Sequence, residues 1–243
     1  MKIFHIKISD LDKKYIRQLD PPKLPKKNKN LAGFIVNKPW GREHLMFNDD
    51  QVEIWHLFIK HLHSTSVHCH PNKKTSLVVL NGRALFSSIN KSIELGPLDG
   101  VTIDAGTFHA TQAISNDDLR VLEFETPPMK HDLLRLEDKY GRVASGYEGV
   151  GALVAADDSY LRLTGATDYS SEFYGNSFYL GKSLNKLTDF KKGKTNAIAV
   201  VLNGAVKVGK KEFSICDILK LDRTSLIKMS DDALVLSITE SGE

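Results

Sequence analysis

Two histidines separated by one residue have the type and spacing that most clearly indicate chemistry. His68 and His70 would project from one face of a β-strand, because side chains alternate along a strand. A third imidazole could come from His109, which follows two further predicted strands. Three neutral imidazoles form a good open site for Zn²⁺, Mn²⁺ or Fe²⁺ and leave positions for water or a substrate oxygen. The sequence therefore predicts a divalent metal ion at these histidines, and a metal-free pocket for water or an organic ligand is the alternative.

Short runs of β-type residues surround these histidines. From about residue 52 onward, such runs are separated by Gly, Asn and Asp, which is typical of a sandwich or barrel. Helical periodicity is weak, and the segments 9–19 and 130–140 are the best helix candidates. We therefore predict a mainly β fold.

An internal repeat divides the chain. The sequence VVLNG occurs at 78–82 and again at 200–204, and each copy is predicted to form a hairpin at Asn-Gly. The segments 116–125 and 230–240 also match. We expect four parts: a basic N-terminal segment or linker at 1–30, a first β unit at 31–128, a connector at 129–170 and a second β unit at 171–243. All nine histidines lie at or before His131, so the first unit alone can use imidazole chemistry.

These residues resemble the two motifs of the cupin superfamily. His68, His70 and Gly82 match the first motif. The spacing of four further residues resembles the second motif: Gly96, Gly106, His109 and Asn116. The resemblance implies a double-stranded β-helix, or cupin jelly roll, in two tandem units of which the second is degenerate. Thr75 stands where the metal-binding Glu of the family normally falls, which removes a negative ligand and leaves a three-histidine site.

Two flanking segments look like those of the type II mannose-6-phosphate isomerase cupins. Residues 38–43 read KPWGRE, like the entry of that family, and residues 132–142 are similar to its D-I-V-R-x-E-D-x-Y-G-R ending. The resemblance implies a homodimeric, metal-dependent isomerase or epimerase of sugar phosphates or nucleotide sugars, in cell-surface polysaccharide metabolism. Two alternatives stay open: a bicupin that binds a sugar or organic acid without catalysis, and an iron-dependent dioxygenase.

Cations near a metal favour anionic substrates. We therefore expect a phosphorylated or acidic sugar to be bound by four side chains: Arg42, Lys73, Lys74 and Arg142. An ion-pair network at the seam between the units is the alternative role for Arg142.

The catalytic base is less well defined by sequence. Glu123 and Glu125 face opposite to Leu122 and Phe124 on the closing strand, and either pair could face the core. An inward Glu123 could complete the metal sphere or act as base. His63 and His61 share a face and could line the mouth of the site or cap the strand in solvent. The candidate bases are therefore Glu123, His63 and His61, in that order.

Composition excludes several other classes of protein. The chain has 243 residues, 41% of them hydrophobic and 26% charged, which is ordinary for a globular protein. It has no run of 18 apolar residues and no apolar signal segment, and its two cysteines fit a reducing compartment, so we expect a cytoplasmic protein without a membrane partner. Nine basic residues against three acidic ones fall within residues 1–30, outside the predicted β units, so we expect no nucleic-acid partner.

Overall fold

The computed structural model describes residues 1–20, 31–143, 145–157, 159–163, 169–183, 185, 187, 189, 196–221 and 227–241. The predicted basic linker therefore lies partly outside the described residues, at 21–30. The fold is mainly β, as predicted. No helix in the described ranges is long and apolar enough to cross a membrane.

Among the described residues, the first unit together with the predicted N-terminal segment and connector forms thirteen strands, one short α-helix and a 3-10 helix at Val150–Ala152. The strands are β1 Ile3–Ile6, β2 Phe34–Lys38, β3 Gly41–Asn48, β4 Glu53–Ile59, β5 Val67–Cys69, β6 Lys74–Asn81, β7 Ala84–Ser88, β8 Ser92–Leu95, β9 Gly100–Ile103, β10 His109–Ala113, β11 Leu119–Thr126, β12 Leu134–Glu137 and β13 Leu153–Ala155. They form an eight-stranded sheet in the order β1-β9-β6-β11-β4-β3-β2-β13 and a five-stranded sheet in the order β12-β5-β10-β7-β8. The facing sides of the two sheets share one apolar core, which includes Trp55 and Phe86.

The second unit repeats this arrangement with eight strands. They are β14 Tyr169–Phe173, β15 Asn176–Gly181, β16 Ala197–Asn203, β17 Val206–Val208, β18 Lys211–Phe213, β19 Ile218–Lys220, β20 Ile227–Met229 and β21 Leu234–Glu240. The sheet order β14-β15-β21-β16-β19 reproduces the order β3-β4-β11-β6-β9 of the first unit. The sequence repeat is therefore a repeat of topology, and each unit is a double-stranded β-helix.

The larger sheets of the two units pack against each other. Their contact forms a core that joins Ile54 and Phe124 of the first unit to Phe178, Ile198 and Leu236 of the second. The second unit has a separate core on the other face of its larger sheet. Strand β16 is thus buried on both faces, which explains its unbroken apolar sequence.

Two local predictions are wrong, and both were overruled by long-range pairing. The Asn-Gly turns do not close hairpins: β6 and β7 belong to different sheets, and so do β16 and β17, so each turn carries the chain from one sheet to the other. The segment 130–140 is not helical, because β12 within it pairs with β5 and buries Leu134 and Arg135. Burial in a sheet outweighs a weak local helix preference.

The helix predicted at 9–19 is present as α1, Asp10–Ile16. Ser9 and Asp12 form a reciprocal capping box at its start. Asp12 is buried, and its Oδ1 accepts a hydrogen bond of 2.9 Å from the backbone N–H of Phe108. This contact fixes the chain immediately before His109.

Candidate metal centre

The fold brings the three predicted metal ligands together. His68 on β5 and His109 on β10 are direct cross-strand partners, and His70 follows the end of β5. Their ring centroids are 4.6 to 5.6 Å apart, and one ring nitrogen of each lies within 4.8 Å of a ring nitrogen of both others. Pairing of β5 with β10 therefore joins the two histidines of one segment to a third that lies far away in the sequence.

Backbone carbonyl groups set the orientation of all three imidazoles. Nδ1 of His68 lies 2.8 Å from the Ser66 carbonyl oxygen, Nδ1 of His70 lies 2.6 Å from that of Asp132, and Nδ1 of His109 lies 2.9 Å from that of Thr107. A carbonyl oxygen only accepts, so each Nδ1 carries the proton and donates it. Each Nε2 therefore keeps a free lone pair, which is the arrangement that second-shell partners impose on metal-binding histidines.

The imidazoles are neutral at physiological pH. Burial lowers the pKa of His68 and His70 well below the ordinary value, with the nearby His109 and Lys73 charges adding to the effect. Burial also lowers the pKa of His109 to about 4. Neutral imidazole is the form that binds a metal.

Two carboxylates adjoin the histidines. Glu123 and Glu125 on β11 both face the interior of the first unit, and their carboxylate oxygens form a second group with His70, within 4.8 Å of one another. Glu125 is the cross-strand partner of Thr75. The neighbouring strand thus presents a carboxylate beside the position at which the family resemblance led us to expect a glutamate.

Sequence reasoning identified Glu123 and missed Glu125 as a site residue. A comparison of the two repeats would have found it, because Ser237 and Thr239 occupy the positions of Glu123 and Glu125 in the unit without histidines. At these two positions, therefore, the unit with histidines has carboxylates and the unit without histidines has hydroxyl side chains.

Buried lysines determine the charge state of these two carboxyl groups. Lys73 Nζ lies 2.7 Å from Glu125 Oε1, and Lys130 Nζ lies 3.5 Å from Glu123 Oε2. Burial and the Glu125 charge raise the pKa of Glu123 to about 7. Burial also acts to raise the pKa of Glu125, but Lys130 and Lys73 outweigh it and the pKa is lowered. The two adjacent carboxyl groups thus differ in proton affinity, which is a frequent property of acid–base pairs.

Of the four predicted substrate-binding cations, Arg142 lines the cavity beside the histidines. Lys73 is fully buried against Glu125 and does not line the cavity. Lys74 instead contacts Asp217 of the second unit at 2.7 Å, because consecutive residues of a strand face opposite ways. Arg42 lies over the Phe58 ring on the face opposite to Glu43. The structure does not bring Lys74 and Arg42 to the cavity.

The two alternative bases lie in the loop after β4. Nδ1 of His61 donates to the Ser115 carbonyl, and Nδ1 of His63 donates to the His61 carbonyl at 3.0 Å. Neither side chain lines the cavity, whereas Glu123 does. Of the three candidate bases, the fold places Glu123 alone beside the histidines.

The cavity next to His68 and His70 has a volume of about 50 Å³, enough for a few water molecules. Ionic side chains that sequence reasoning did not assign to the site form much of its wall: Lys38, Glu43, Lys130, Arg135 and Glu148. Burial acts to raise the pKa of Glu43, but Lys130 and Lys38 lower it to about 2. Apart from the segments 38–43 and 132–142, which carry the family resemblance described above, no sequence signal points to this group, because its members come from distant segments.

Comparisons with known proteins give structural neighbours only. No protein-family model matches the chain, and no curated protein matches it significantly. A cupin-2 domain from Rhodospirillum rubrum is similar, with 15% identity over 44% of this chain and 78% of that chain and a TM-score of 0.37. A putative sugar phosphate isomerase from Acidithiobacillus ferrooxidans has 19% identity over 31% of this chain and 50% of that chain, with a TM-score of 0.30. The capsular polysaccharide assembling protein CapF from Staphylococcus aureus has 19% identity over 43% of this chain and 34% of that chain, with a TM-score of 0.38.

Proposed function

We propose that the first unit is a metal-dependent enzyme that acts on a phosphorylated or otherwise acidic sugar, as an isomerase or epimerase. The observation that carries this proposal is the set of three Nδ1–carbonyl hydrogen bonds, which leaves three Nε2 lone pairs in one buried place. The resemblance to type II mannose-6-phosphate isomerases supports the choice of reaction. Lys38 and Arg142 belong to the two segments that carry this resemblance, and both contact Glu148 at the cavity.

The residues present fit a divalent metal ion. Nε2 of His70 is buried and has no hydrogen-bond partner among the described residues, which is costly for a polar atom unless a ligand completes it. His68, His70 and His109 would hold the ion, with Glu125 nearby as a carboxylate. Imidazole ligands suit Zn²⁺, Mn²⁺ and Fe²⁺ alike. When bound, such an ion would polarise a carbonyl or hydroxyl oxygen of the sugar.

Glu123 is the proposed acid–base group. Its carboxylate lies in the cavity within 4.8 Å of a ligand atom of His70 and is oriented by Lys130. In an aldose–ketose isomerisation, this carboxylate would take a proton from one sugar carbon and return it to the adjacent carbon. One hydroxyl proton would pass between the oxygens on the same two carbons, so that no other reactant is consumed. The cationic side chains Arg142 and Lys38 would bind the anionic group of the sugar.

Buried Lys73 favours a second candidate, a unit that binds a sugar or organic acid without a metal. The side chain is fully enclosed, and its ammonium group already neutralises Glu125. The ammonium group of Lys73 can thus neutralise the charge of the neighbouring carboxylates in place of a metal ion. The two candidates differ in metal content, which can be measured directly.

The test is elemental analysis of protein purified without an affinity tag. We expect about one equivalent of metal in the parent protein and its loss in the variant His68→Ala, His70→Ala. The matched control is His61→Ala, His63→Ala, which also removes two histidines but leaves the site intact. Absence of metal, even after incubation with Zn²⁺, Mn²⁺ and Fe²⁺, would overturn the metalloenzyme proposal. If the parent protein does bind metal, turnover of hexose phosphates by the metal-loaded protein would identify the substrate.

We also propose that the protein forms a homodimer. Strand β13 is an edge of the eight-stranded sheet, and Val154 within it and Val150 just before it are exposed. Pairing of such edges between subunits would cover them. Analytical ultracentrifugation tests this, and a monomer at micromolar concentration would refute it.

A further inference from the structure

The carboxylate of Glu148 lies on three cations at the wall of the cavity. It contacts Lys38 Nζ, its Oε1 lies 2.6 Å from Arg142 Nη1, and the same oxygen lies 3.7 Å from Arg135 Nη2. The three cations come from β2, from β12 and from the segment after β12, and all of them line the cavity that contains His68 and His70. We call Lys38, Arg135 and Arg142 the cationic cradle.

Glu148 reaches the cradle from a surface segment. Residues 145–149, here called the strap, contain Ser145 and two glycines, Gly146 and Gly149, with open space around them. Arg135 Nη1 donates to the carbonyl oxygens of Ser145 and Gly146. Polar contacts between the cradle and the strap therefore hold Glu148 in place.

The cradle has unused capacity to bind an oxyanion. Arg135 is 5% exposed, and its Nε has no hydrogen-bond partner in the part of the chain that the structure describes. Guanidinium groups bind carboxylates and phosphates through paired N–H donors, and a buried unused donor is costly. An oxyanion bound in the cavity would give that donor a partner, which Glu148 does not provide.

We propose that Glu148 occupies the place of the substrate's oxyanion group, and that substrate binds to the cationic cradle by displacing it. The inference rests on the proposed function in taking the cavity beside the histidines as the substrate site. The free space in the cavity, about 50 Å³, is small beside the roughly 300–1,000 Å³ of typical ligand pockets, so we expect the strap to shift when such a substrate enters. Phosphate and carboxylate both match the guanidinium groups, and the titrations below distinguish between them.

The test is calorimetric titration of the full chain with inorganic phosphate and, separately, with glucuronate. In the variant Glu148→Gln the amide is similar in size but no longer competes as an anion, so we expect the dissociation constant of at least one probe to fall roughly tenfold. The stronger response identifies phosphate or carboxylate as the preferred group. The double variant Glu148→Gln, Arg135→Gln should lose this gain. The matched control is Glu94→Gln, which removes a carboxylate from an exposed pair with Arg83 and should leave binding unchanged.

Hydrogen exchange in the parent protein provides a test that needs no variant. Saturation with the preferred probe should increase amide exchange at 145–149, because the strap loses its contacts with the cradle. Binding without this increase, or equal affinity of Glu148→Gln and the parent for both probes, would overturn the proposal. The titrations are made with metal-depleted and metal-loaded protein. If the Glu148→Gln variant binds a probe more tightly but the protein takes up no metal, the proposal for Glu148 stands and the metal-dependent enzyme is rejected. If the protein takes up metal but Glu148→Gln does not bind either probe more tightly, the enzyme proposal stands and the proposal for Glu148 is rejected.

Discussion

The ion pair between Lys73 and Glu125 offers the sharpest test of the electrostatics beside the histidines. Its side chains are 0% and 1% exposed, and Nζ and Oε1 are 2.7 Å apart. Glu125→Leu leaves Lys73 as an uncompensated buried charge, which costs about 3–5 kcal/mol. That is a large part of the roughly 5–15 kcal/mol by which a typical domain is stable. We therefore expect Glu125→Leu to lower the free energy of unfolding by about this amount, and Lys73→Met to lower it by less, because Lys130 Nζ still lies 3.8 Å from Glu125 Oε1.

The double variant Lys73→Met, Glu125→Leu should recover most of that loss, because replacement of a buried pair by apolar groups of similar size is often neutral. Urea denaturation followed by circular dichroism measures all three variants in metal-free buffer. The matched control is the pair Lys207–Glu212, which has a similar length of 2.9 Å but is more than half exposed. The variants Lys207→Met and Glu212→Leu should leave the denaturation midpoint unchanged. Equal effects of Lys73→Met and Lys207→Met would refute the burial of charge at the site.

The same double variant reports on metal binding. If Glu125 supports the histidines as a neighbouring carboxylate, the metal dissociation constant should rise about 10–100-fold while the fold is retained. Competition with a chromogenic chelator measures this constant. An unchanged constant would show that the three histidines bind the ion without help from Glu125.

Three further predictions concern stability. Burial lowers the pKa of His44 from 6.5 to about 4, so the unfolded chain takes up a proton between these pH values and the folded protein does not. His44 should therefore lower the free energy of unfolding by about 3 kcal/mol as the pH drops from 7 to 4. The free energy of unfolding of His44→Gln, measured by urea denaturation at the two pH values, should decrease by correspondingly less. Gly41→Ala should prevent folding, as judged by circular dichroism, because a Cβ at φ +152° would lie 1.9 Å from the Phe58 carbonyl oxygen. Asp12→Ala should cost about 1–3 kcal/mol in thermal denaturation, because the buried N–H of Phe108 loses its acceptor, whereas Asp10→Ala on the exposed side of α1 should cost less.

Features that repeat along one strand were predictable from sequence. The spacing of His68 and His70 placed both imidazoles on one face, and the same alternation placed Glu123 and Glu125 together opposite Leu122 and Phe124. The duplicated VVLNG segments indicated two units of one topology. Each of these inferences needs only the local geometry of an extended chain, which the order of residues determines.

Tertiary structure decided which strands pair with one another and which residues contact each face of a sheet. Glu125 lies beside Thr75 only because β11 pairs with β6, in a register that no local pattern specifies. Lys74 contacts Asp217 of the second unit rather than the cavity, because β6 lies between the cavity and the second unit. Lys38 and Glu148 meet although 110 residues separate them in the chain. Register and sheet packing arise from burial of apolar surface over the whole molecule. The sequence alone therefore predicted the three histidines, one carboxylate and Arg142 at the cavity, whereas the fold added the second carboxylate and the other cations around them.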